Sequence, residues 1–569
     1  MTSVPGTRAW TVSQPPPDGF RLDFDGLTPA NPALAARLLY NRGVRTREAA
    51  RRYLNGSFDD LADPMRLPGM ELATRRIMAA IRAGDPIGVF GDFDVDGLTG
   101  TAIVISAIRI LGGKALPYIP HREQDGHGLS LRAIESFRAA GVKLIITVDT
   151  GTTATAEIAA ARAAGIDTVI TDHHLPDGEL PDAVALVNPN LPGDDESTNL
   201  AGAGVAFKLA QSLCLAAGRE LPSAFLALAA LGTIADAAPL TGENRVLVRS
   251  GLEELGRTTH AGLQALLARS RSRGSFGRPD TELVAFQIAP RLNAPGRLGD
   301  AEPSLQILTT DDPVEAEILA ARLDSANDER RRLSELLWKE VERQLRDRGT
   351  DSSVLSVSCS GYPAGLLGPL AGRLCERYGK PAIAYVEVDG FARASVRSTP
   401  GFDIHGALAP LGGQLVRFGG HARAAGFTVA MGYLDAVLGE VERTAAWANL
   451  RGPETPPLKA DAEATLDGLG ASMWDFVRRM EPFGEANPQP LFIARSLSPV
   501  SVKTVGAQGK HLRLTLEQGG KRVDAIGFGL GSTSLGDGRV DAAFELRSDS
   551  WNGRIRYELG LRDVQPARR

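Results

Sequence analysis

The stretch Pro86-Ile87-Gly88-Val89-Phe90-Gly91-Asp92-Phe93-Asp94-Val95-Asp96-Gly97 decides how the rest of the chain is read. Pro86–Phe90 is a short apolar run, which reads as a buried strand. Three carboxylates at alternate positions leave its end together, so their oxygens can converge on hard cations. Gathering them without a cation is costly, because like charges raise one another's pKa. Three other readings compete. The spacing also opens an EF-hand loop with Gly97 at the sixth position, but the twelfth needs a glutamate and Ile103 stands there. A haloacid-dehalogenase-type phosphatase wants Thr or Val where Leu98 sits. A plain solvated turn is opposed by Phe93, Val95 and the preceding strand.

Around this stretch, from about 70 to 240, short apolar runs alternate with helical periods. The reading is helix Glu71–Arg82, strand Pro86–Phe90, helix Leu98–Leu111, strand Leu116–Ile119, helix Ser130–Ala140 and strand Leu144–Val148. Helix Ala154–Ala164, strand Thr168–Ile170 and strand Ala185–Val187 follow, and the whole is the pattern of a parallel α/β sheet. Ligands bind at the carboxyl edge of such sheets, and further motifs lie there. Thr147-Val148-Asp149-Thr150-Gly151 ends one strand, although an Asp there also serves as a plain helix cap. Thr171-Asp172-His173-His174 ends the next, with two of the chain's eight histidines side by side. Asp236 is a lone carboxylate in the apolar helical run Phe225–Leu240, a costly placement unless it is paired or metal-bound. Together these clusters suit two cations sharing a bridging carboxylate, which implies metal-assisted phosphoester hydrolysis.

Farther out, Pro313–Asp347 reads as one helix of about 50 Å joining two α/β units. Its seam runs through Val314, Ile318, Leu319, Leu323, Ala326, Leu333, Leu336, Leu337, Val341 and Leu345. Arg330-Arg331-Arg332 reads as a solvated face. A second α/β unit occupies 351–454, with strands near 353–357, 382–386 and 392–395 and a helix at 370–378. Residues 455–569 carry short strands such as Leu512–Leu516 and Arg522–Phe528, the pattern of a small barrel or sandwich. Residues 1–20 read as a flexible tail.

With 569 residues, 43% of them apolar, the chain is long enough for three or four domains and cannot be wholly disordered. Cys214, Cys359 and Cys375 are the only cysteines and show no CxxC spacing, so a reducing, cytoplasmic setting is expected. No apolar run is long enough to cross a membrane, and the first 20 residues lack the apolar core of a signal peptide. A net charge of −5 restricts nucleic-acid binding to a local basic groove.

GDFDVDG, TVDTG, TDHH and GTIADAAPL, in this order, resemble the DHH phosphoesterase superfamily. PRLNAPGRLGD (290–300), GFDIHGAL (401–408), GGHARAAGFT (419–428) and EPFGEANPQP (481–490) resemble its RecJ branch of single-strand-specific 5′→3′ DNA exonucleases. The resemblance implies an α/β fold: a DHH parallel-sheet domain (71–310) after an N-terminal tail and helical extension (1–70), a connector helix (311–350), a smaller DHH-associated α/β domain (351–454) and a β-rich OB-like domain (455–569). It implies two Mn²⁺ or Mg²⁺ ions held by Asp92, Asp94, Asp96, Asp149, His173 and Asp236, with Asp149 bridging. His174 would touch the scissile phosphate and Asp172 would orient the pair. Some relatives place a histidine at Phe90, and here Asp92 stands in for it. Arg122, Arg393, Ser395 and Arg397 resemble the pocket for the 5′ phosphate. Arg291 and Arg297, in a Gly/Pro-containing turn, would hold the strand's backbone, His127 would stack on a base, and Gly419-Gly420-His421 would approach a phosphate. Arg495, Lys503, Lys510, Arg513, Lys521 and Arg522 suit a single-strand groove. The implied substrate is single-stranded DNA with a 5′ end. The implied protein is a monomer beside a RecQ-type helicase and a single-stranded-DNA-binding protein, active in DNA repair and recombination. A phosphodiesterase of short oligonucleotides or cyclic dinucleotides, and a catalytically inactive replication scaffold, are the alternatives.

Overall fold

The computed structural model describes residues 8–22, 24, 29, 31–122, 124–126, 128–192, 199–270, 278–448, 457–536, 538–551 and 554–567. In the first α/β unit five parallel strands lie in the order Lys114–Tyr118, Pro86–Gly91, Leu144–Val148, Asp167–Thr171, Ala185–Val187. Side chains alternate across a strand. Ile87 and Val89 therefore enter one apolar layer with the helices Val95–Ile110, Gly202–Ala216 and Ala224–Ala235, while Phe90 enters the other with Ile134, Phe137 and Ile158. The helix Val95–Ile110 is buried on nearly every side, between sheet and helices.

That helix starts earlier than the apolar pattern suggests. Asp94 is its N-cap, accepting from Gly97 N at 3.1 Å, and Asp96 lies in its first turn. The acidic motif is thus half strand end and half helix cap. The reason is that aspartate satisfies the orphan N–H groups of a helix start.

The helix Pro313–Arg348 runs 36 residues, about 54 Å at 1.5 Å per residue. Ala316, Leu319, Ala320 and Leu323 pack into the first domain's core. Leu337, Trp338, Val341 and Leu345 pack into a core of the second domain. Its expected seam is interrupted, because Val314, Ile318 and Leu336 are exposed. The second domain's sheet has the order Leu415–His421, Ala424–Ala430, Phe391–Arg397, Ala382–Val388, Leu355–Ser358, with only the last pair parallel.

The C-terminal strands close a barrel, since Leu491–Val505 pairs with both His511–Gln518 and Val540–Trp551. The strands are not short: Leu491–Val505, Val540–Trp551 and Arg554–Pro566 span 15, 12 and 13 residues. Register shifts let the first two bend around the barrel and pair on both sides.

The N-terminal region departs most from expectation. Trp10–Val12 forms a parallel ladder with Leu458–Ala460, and Trp10 Nε1 donates to Asp563 at 2.7 Å. Residues 10–12 are therefore docked rather than part of a flexible tail. Leu34, Leu38, Leu39 and Leu54, from the helices Pro32–Asn41 and Arg47–Asn55, share one core with Trp474, Phe492 and Phe544 of the barrel unit. Cutting the chain at 455 would bare that apolar face.

Arg245 ties this unit to the first domain. Its buried guanidinium donates to the carbonyls of Tyr53 (2.9 Å), Glu481 (2.8 Å) and Pro482 (3.3 Å) and stacks on the Tyr53 ring. Asn487 donates to Pro482 O at 2.7 Å and accepts from Tyr53 Oη at 2.7 Å. The EPFGEANPQP motif is the joint between barrel and catalytic domain.

Candidate metal centre and nucleic-acid cleft

The acidic and imidazole motifs meet at the carboxyl edge of the parallel sheet. Three sets of ligand atoms each lie within 4.8 Å of one another: Asp92, Asp94 and Asp149; Asp96, His173 and Asp236; Asp149, His173 and His174. Asp149 and His173 each belong to two sets, so the sets form one continuous patch.

Each side chain is placed by a local device. Asp149 N donates to Thr171 O at 2.9 Å, and the residue adopts φ +61°, in the left-handed region that non-glycine residues rarely enter. This turns its carboxylate over the sheet edge toward Gly202. A Cβ at Gly202 would stand 2.6 Å from Asp149 Oδ1, so only glycine fits. Asp96 accepts from Gly202 N (2.7 Å) and Ala203 N (2.9 Å), at the positive start of the helix Gly202–Ala216. Asp172 is buried and accepts from Thr152 N (2.9 Å), His173 N (2.8 Å) and His174 Nδ1 (2.7 Å). Asn188 donates to His174 O at 2.8 Å. Asp236 caps the C-terminal end of the helix Ala224–Ala235, where the helix dipole disfavours an anion. It is exposed, and not enclosed in an apolar run as its neighbours suggested. The helix stops one residue before it.

The electrostatics show what the patch lacks. Burial and Asp94 push Asp92 up to about 7. Burial and neighbouring carboxylates hold Asp96 and Asp149 far above the usual carboxylate range. Although the residue is open to solvent on one side, desolvation of its carboxyl among the patch, together with Asp94, raises Asp236 to about 6. Asp92 Oδ1 and Asp149 Oδ1 are buried without a hydrogen-bond donor among the described residues, and His173 Nε2 stands 3.1 Å from the latter. Buried oxygens crowded in this way call for cations, and carboxylate with imidazole is a donor set for divalent ions. Burial lowers His173 to about 4, so its ring is neutral and can offer a lone pair. His174 is different: its bond to Asp172 raises it to about 9, so it stays protonated, and Nε2 is a second donor with no partner among the described residues. Phe90 lies away from the patch, stacked on Tyr118 at 5.7 Å in the sheet's other layer.

A second cluster of opposite charge adjoins the first. Arg122 stacks over Phe93 at 3.9 Å, near Asp92 and Asp94, and burial lowers its pKa. Arg297 is lowered to about 10 by burial and by Arg122, Arg330 and Arg397. It donates to Gly365 O of the second domain at 3.1 Å. Arg393, Ser395 and Arg397 share the partly exposed face of the strand Phe391–Arg397. Arg330 comes from the connector helix. It is half-buried, although the charge pattern of Arg330-Arg331-Arg332 reads as a solvated face. No local pattern marks it, because only the packing of two domains on that helix brings it to Arg297.

Other expected residues lie elsewhere. The segment containing Arg291 and Arg297 is the helix Ala289–Leu298, not a turn, despite Pro295 inside it. Arg291 donates to Asp324 (2.6 Å), Gln287 O (2.7 Å) and Arg269 O (3.2 Å), so its guanidinium holds helices together and is not available to a strand of DNA. Gly419, Gly420 and His421 are exposed at the end of the edge strand Leu415–His421, in a hairpin with Ala424–Ala430. That strand's Arg417 reaches the first domain's loop at Gly126. His127 lies outside the described residues. In the barrel, Arg495 is paired with Glu463 and Asp541, Lys521 with Asp467 and Arg522 with Glu517.

The chain matches three family models: the DHH family N-terminal domain over 86–233, the DHHA1 domain over 351–446 and the RecJ OB domain over 460–563. It is 35% identical to the single-stranded-DNA-specific exonuclease RecJ of Bacillus subtilis, over 98% of this chain and 70% of that one. The chain belongs to the RecJ family. The RecJ exonuclease of Escherichia coli is 32% identical over 94% of this chain and 96% of its own. Among solved structures, Thermus thermophilus RecJ in complex with Mn²⁺ superposes with a TM-score of 0.82 at 30% identity, covering 99% of this chain and 80% of that one. A RecJ exonuclease bound to manganese is 35% identical over 67% of this chain and 95% of its own, with a TM-score of 0.60. The DHH, DHHA1 and RecJ OB segments follow one another along the chain. No described helix is long and apolar enough to cross a membrane.

Proposed function

We propose that this RecJ-family chain is a metal-dependent hydrolase that removes mononucleotides from the 5′ end of single-stranded DNA. One observation carries the reading. A partly buried patch of carboxylates and imidazoles, short of cations, adjoins a cluster of arginines short of anions, and a phosphodiester with divalent ions satisfies both. Asp92, Asp94, Asp96, Asp149, His173 and Asp236 would hold two divalent ions, Mn²⁺ or Mg²⁺, with Asp149, which belongs to two of the ligand sets, serving both. Bound there, the ions activate water and neutralise charge developing at phosphorus. Asp172 keeps His174 protonated and oriented, so that Nε2 donates to a phosphate oxygen. Arg122 and Arg397 hold the terminal 5′ phosphate, with Ser395 between strand and pocket. Arg297 and Arg330 hold the next phosphates, and Arg393, Gly419, Gly420 and His421 line the approach.

A closed barrel that retains unpaired cations suits a polymeric substrate better than a dinucleotide, and the complete ligand set argues for an enzyme over an inactive scaffold. The cytoplasm is the expected setting. A RecQ-type helicase and a single-stranded-DNA-binding protein would supply and organise the strand, and the protein would act as a monomer in repair and recombination. The test is digestion of single- and double-stranded DNA carrying 5′ or 3′ labels, with and without Mn²⁺. The reading expects mononucleotides from the 5′ end of single strands only. Release from the 3′ end, or equal attack on duplexes, would sink it.

A further inference from the structure

The strand Asp167–Thr171 stops before the histidine pair, so its ladder does not hold His173 and His174. Side chains grip the pair instead, at all four of its main-chain polar groups. Asp172 Oδ1 accepts from His173 N (2.8 Å) and His174 N (3.2 Å). Asn190 Nδ2 donates to His173 O, and Asn188 Nδ2 donates to His174 O at 2.8 Å. The two amides come from Asn188-Pro189-Asn190, directly after the strand Ala185–Val187. They are fixed relative to each other, because Asn190 N donates to Asn188 Oδ1 at 2.8 Å and Pro189 has a locked φ. The Asn188 amide also donates to Thr152 Oγ1 at 2.9 Å, and Thr152 N donates to Asp172 Oδ2 at 2.9 Å. Asn188, Thr152 and Asp172 are buried, and Asn190 is half-buried. The two histidines differ in what holds their rings. The His174 ring is bonded to Asp172 through Nδ1. The His173 ring points Nε2 at Asp149 (3.1 Å) and Asp96 (3.7 Å), its fellow candidate ligands, so its main chain is what places it before an ion arrives.

We propose that Asn188 and Asn190 are positioning residues that divide the histidine pair between two tasks: Asn190, through His173, sets the metal site, and Asn188, through His174, sets the donor to the phosphate. The inference rests on the reading of the patch as a metal-dependent hydrolytic centre, and it adds two residues that act only through others. Holding both the N–H and the C=O of a residue fixes its φ and ψ, and with them the direction of its Cβ. The imidazole then has only its side-chain torsions left to settle. Outer partners of this kind hold a ligand in its binding orientation, and losing one costs about 10- to 100-fold in metal affinity or activity. Asp149 has its own anchor at Thr171 O, so the loss of Asn188 leaves that ligand in place.

The test uses the full-length protein. Mn²⁺ binding is read without DNA from the paramagnetic resonance of the free ion, and hydrolysis of a 5′-phosphorylated single strand is read against Mn²⁺ concentration. Asn190→Ala should weaken Mn²⁺ binding on the order of 10-fold. The Mn²⁺ needed for half-maximal rate should rise to match, with little loss of rate once Mn²⁺ saturates. Asn190→Gln, which keeps a donor, should recover part of the affinity. Asn188→Ala should lower the saturated rate on the order of 10-fold, with Mn²⁺ binding close to wild type. Residues that merely support the fold would not produce this split, because both variants would lose affinity and rate together. That joint loss, unchanged Mn²⁺ binding in Asn190→Ala, or an unchanged saturated rate in Asn188→Ala would overturn the proposal. If Asn188→Ala does not fold, the Asn190 variants decide alone. A wild-type protein that binds no Mn²⁺ would strike the metal centre and the clamp with it, whereas unchanged variants beside a wild type that binds would strike the clamp alone.

Discussion

The carboxylate patch and the arginine cluster are mirror images in charge but not in origin. The acids come from the ends of strands and helices in one parallel sheet, each within a short motif. The arginines come from a loop, two helices and a strand spread over two domains and their connector. Both clusters hold like charges together, and burial pushes the acids up and the guanidiniums down. The acids can relieve the strain by taking up protons, since Asp92 titrates near 7 and Asp236 near 6. Arg297, at about 10, remains charged at neutral pH. The first cluster therefore adjusts to pH and cations, while the second keeps a standing demand for an anion.

The comparison can be broken most sharply at Asp149. Asp149→Ala should abolish hydrolysis to below about 1% in Mn²⁺, because a shared ligand serves both ions. Folding should survive, and the apo protein should gain thermal stability, since a buried repelling carboxylate has gone. Retained turnover would deny the shared role.

Next in size is Arg397→Ala. Losing a charge-assisted contact of roughly 1.5–3 kcal/mol slows digestion of 5′-phosphorylated strands about 10- to 100-fold. Strands with a 5′ hydroxyl should be affected far less. An equal loss on both would make Arg397 a support of the fold or a clamp on an internal phosphate.

Metal removal separates the clusters by pH. The raised folded-state pKa values of Asp92 and Asp236 mean that the unfolded chain gives up these protons first as pH rises. Their contribution to stability is full below about pH 4 and is lost as pH climbs through about 6 to 7. Calorimetry in EDTA should show Tm falling by several degrees across that window, and saturating Mn²⁺ should remove the fall. A flat profile would mean that the carboxylates are not crowded in solution.

The smallest effect on chemistry is expected at Arg291. Arg291→Ala should lower stability by about 1–3 kcal/mol, since it leaves partly buried partners unpaired, with turnover per folded molecule unchanged. A selective loss of strand affinity would return Arg291 to the cleft.

Much of this was legible because the local rules agree. The parallel sheet shows in apolar runs separated by helical periods, and the runs Leu144–Val148 and Ala185–Val187 match the strands residue for residue. Asp92, Asp94, Asp149, Asp172 and His173 lie within a few residues of strand ends, so the strand pattern places them at one edge. The start of the helix after Asp92 was less legible, because a cap is polar and hides a helix's first turn from an apolar period. Arg291 and Arg297 look alike in sequence, six positions apart, and only the neighbours of each separate them.

The amino-acid sequence by itself determined the sheet, the order of its strands along the chain, the acidic and histidine motifs and the membership of the RecJ family. Short-range patterns encode these, since apolar period and strand-end chemistry act over a handful of residues. Only the tertiary structure decided that Arg330 joins Arg122, Arg297 and Arg397, that Arg291 is absorbed in packing and that the first and last parts of the chain share one core. It also decided which barrel cations are left unpaired. These depend on which distant surfaces bury one another, because charge pairing and burial follow neighbours in space, and no local period records them.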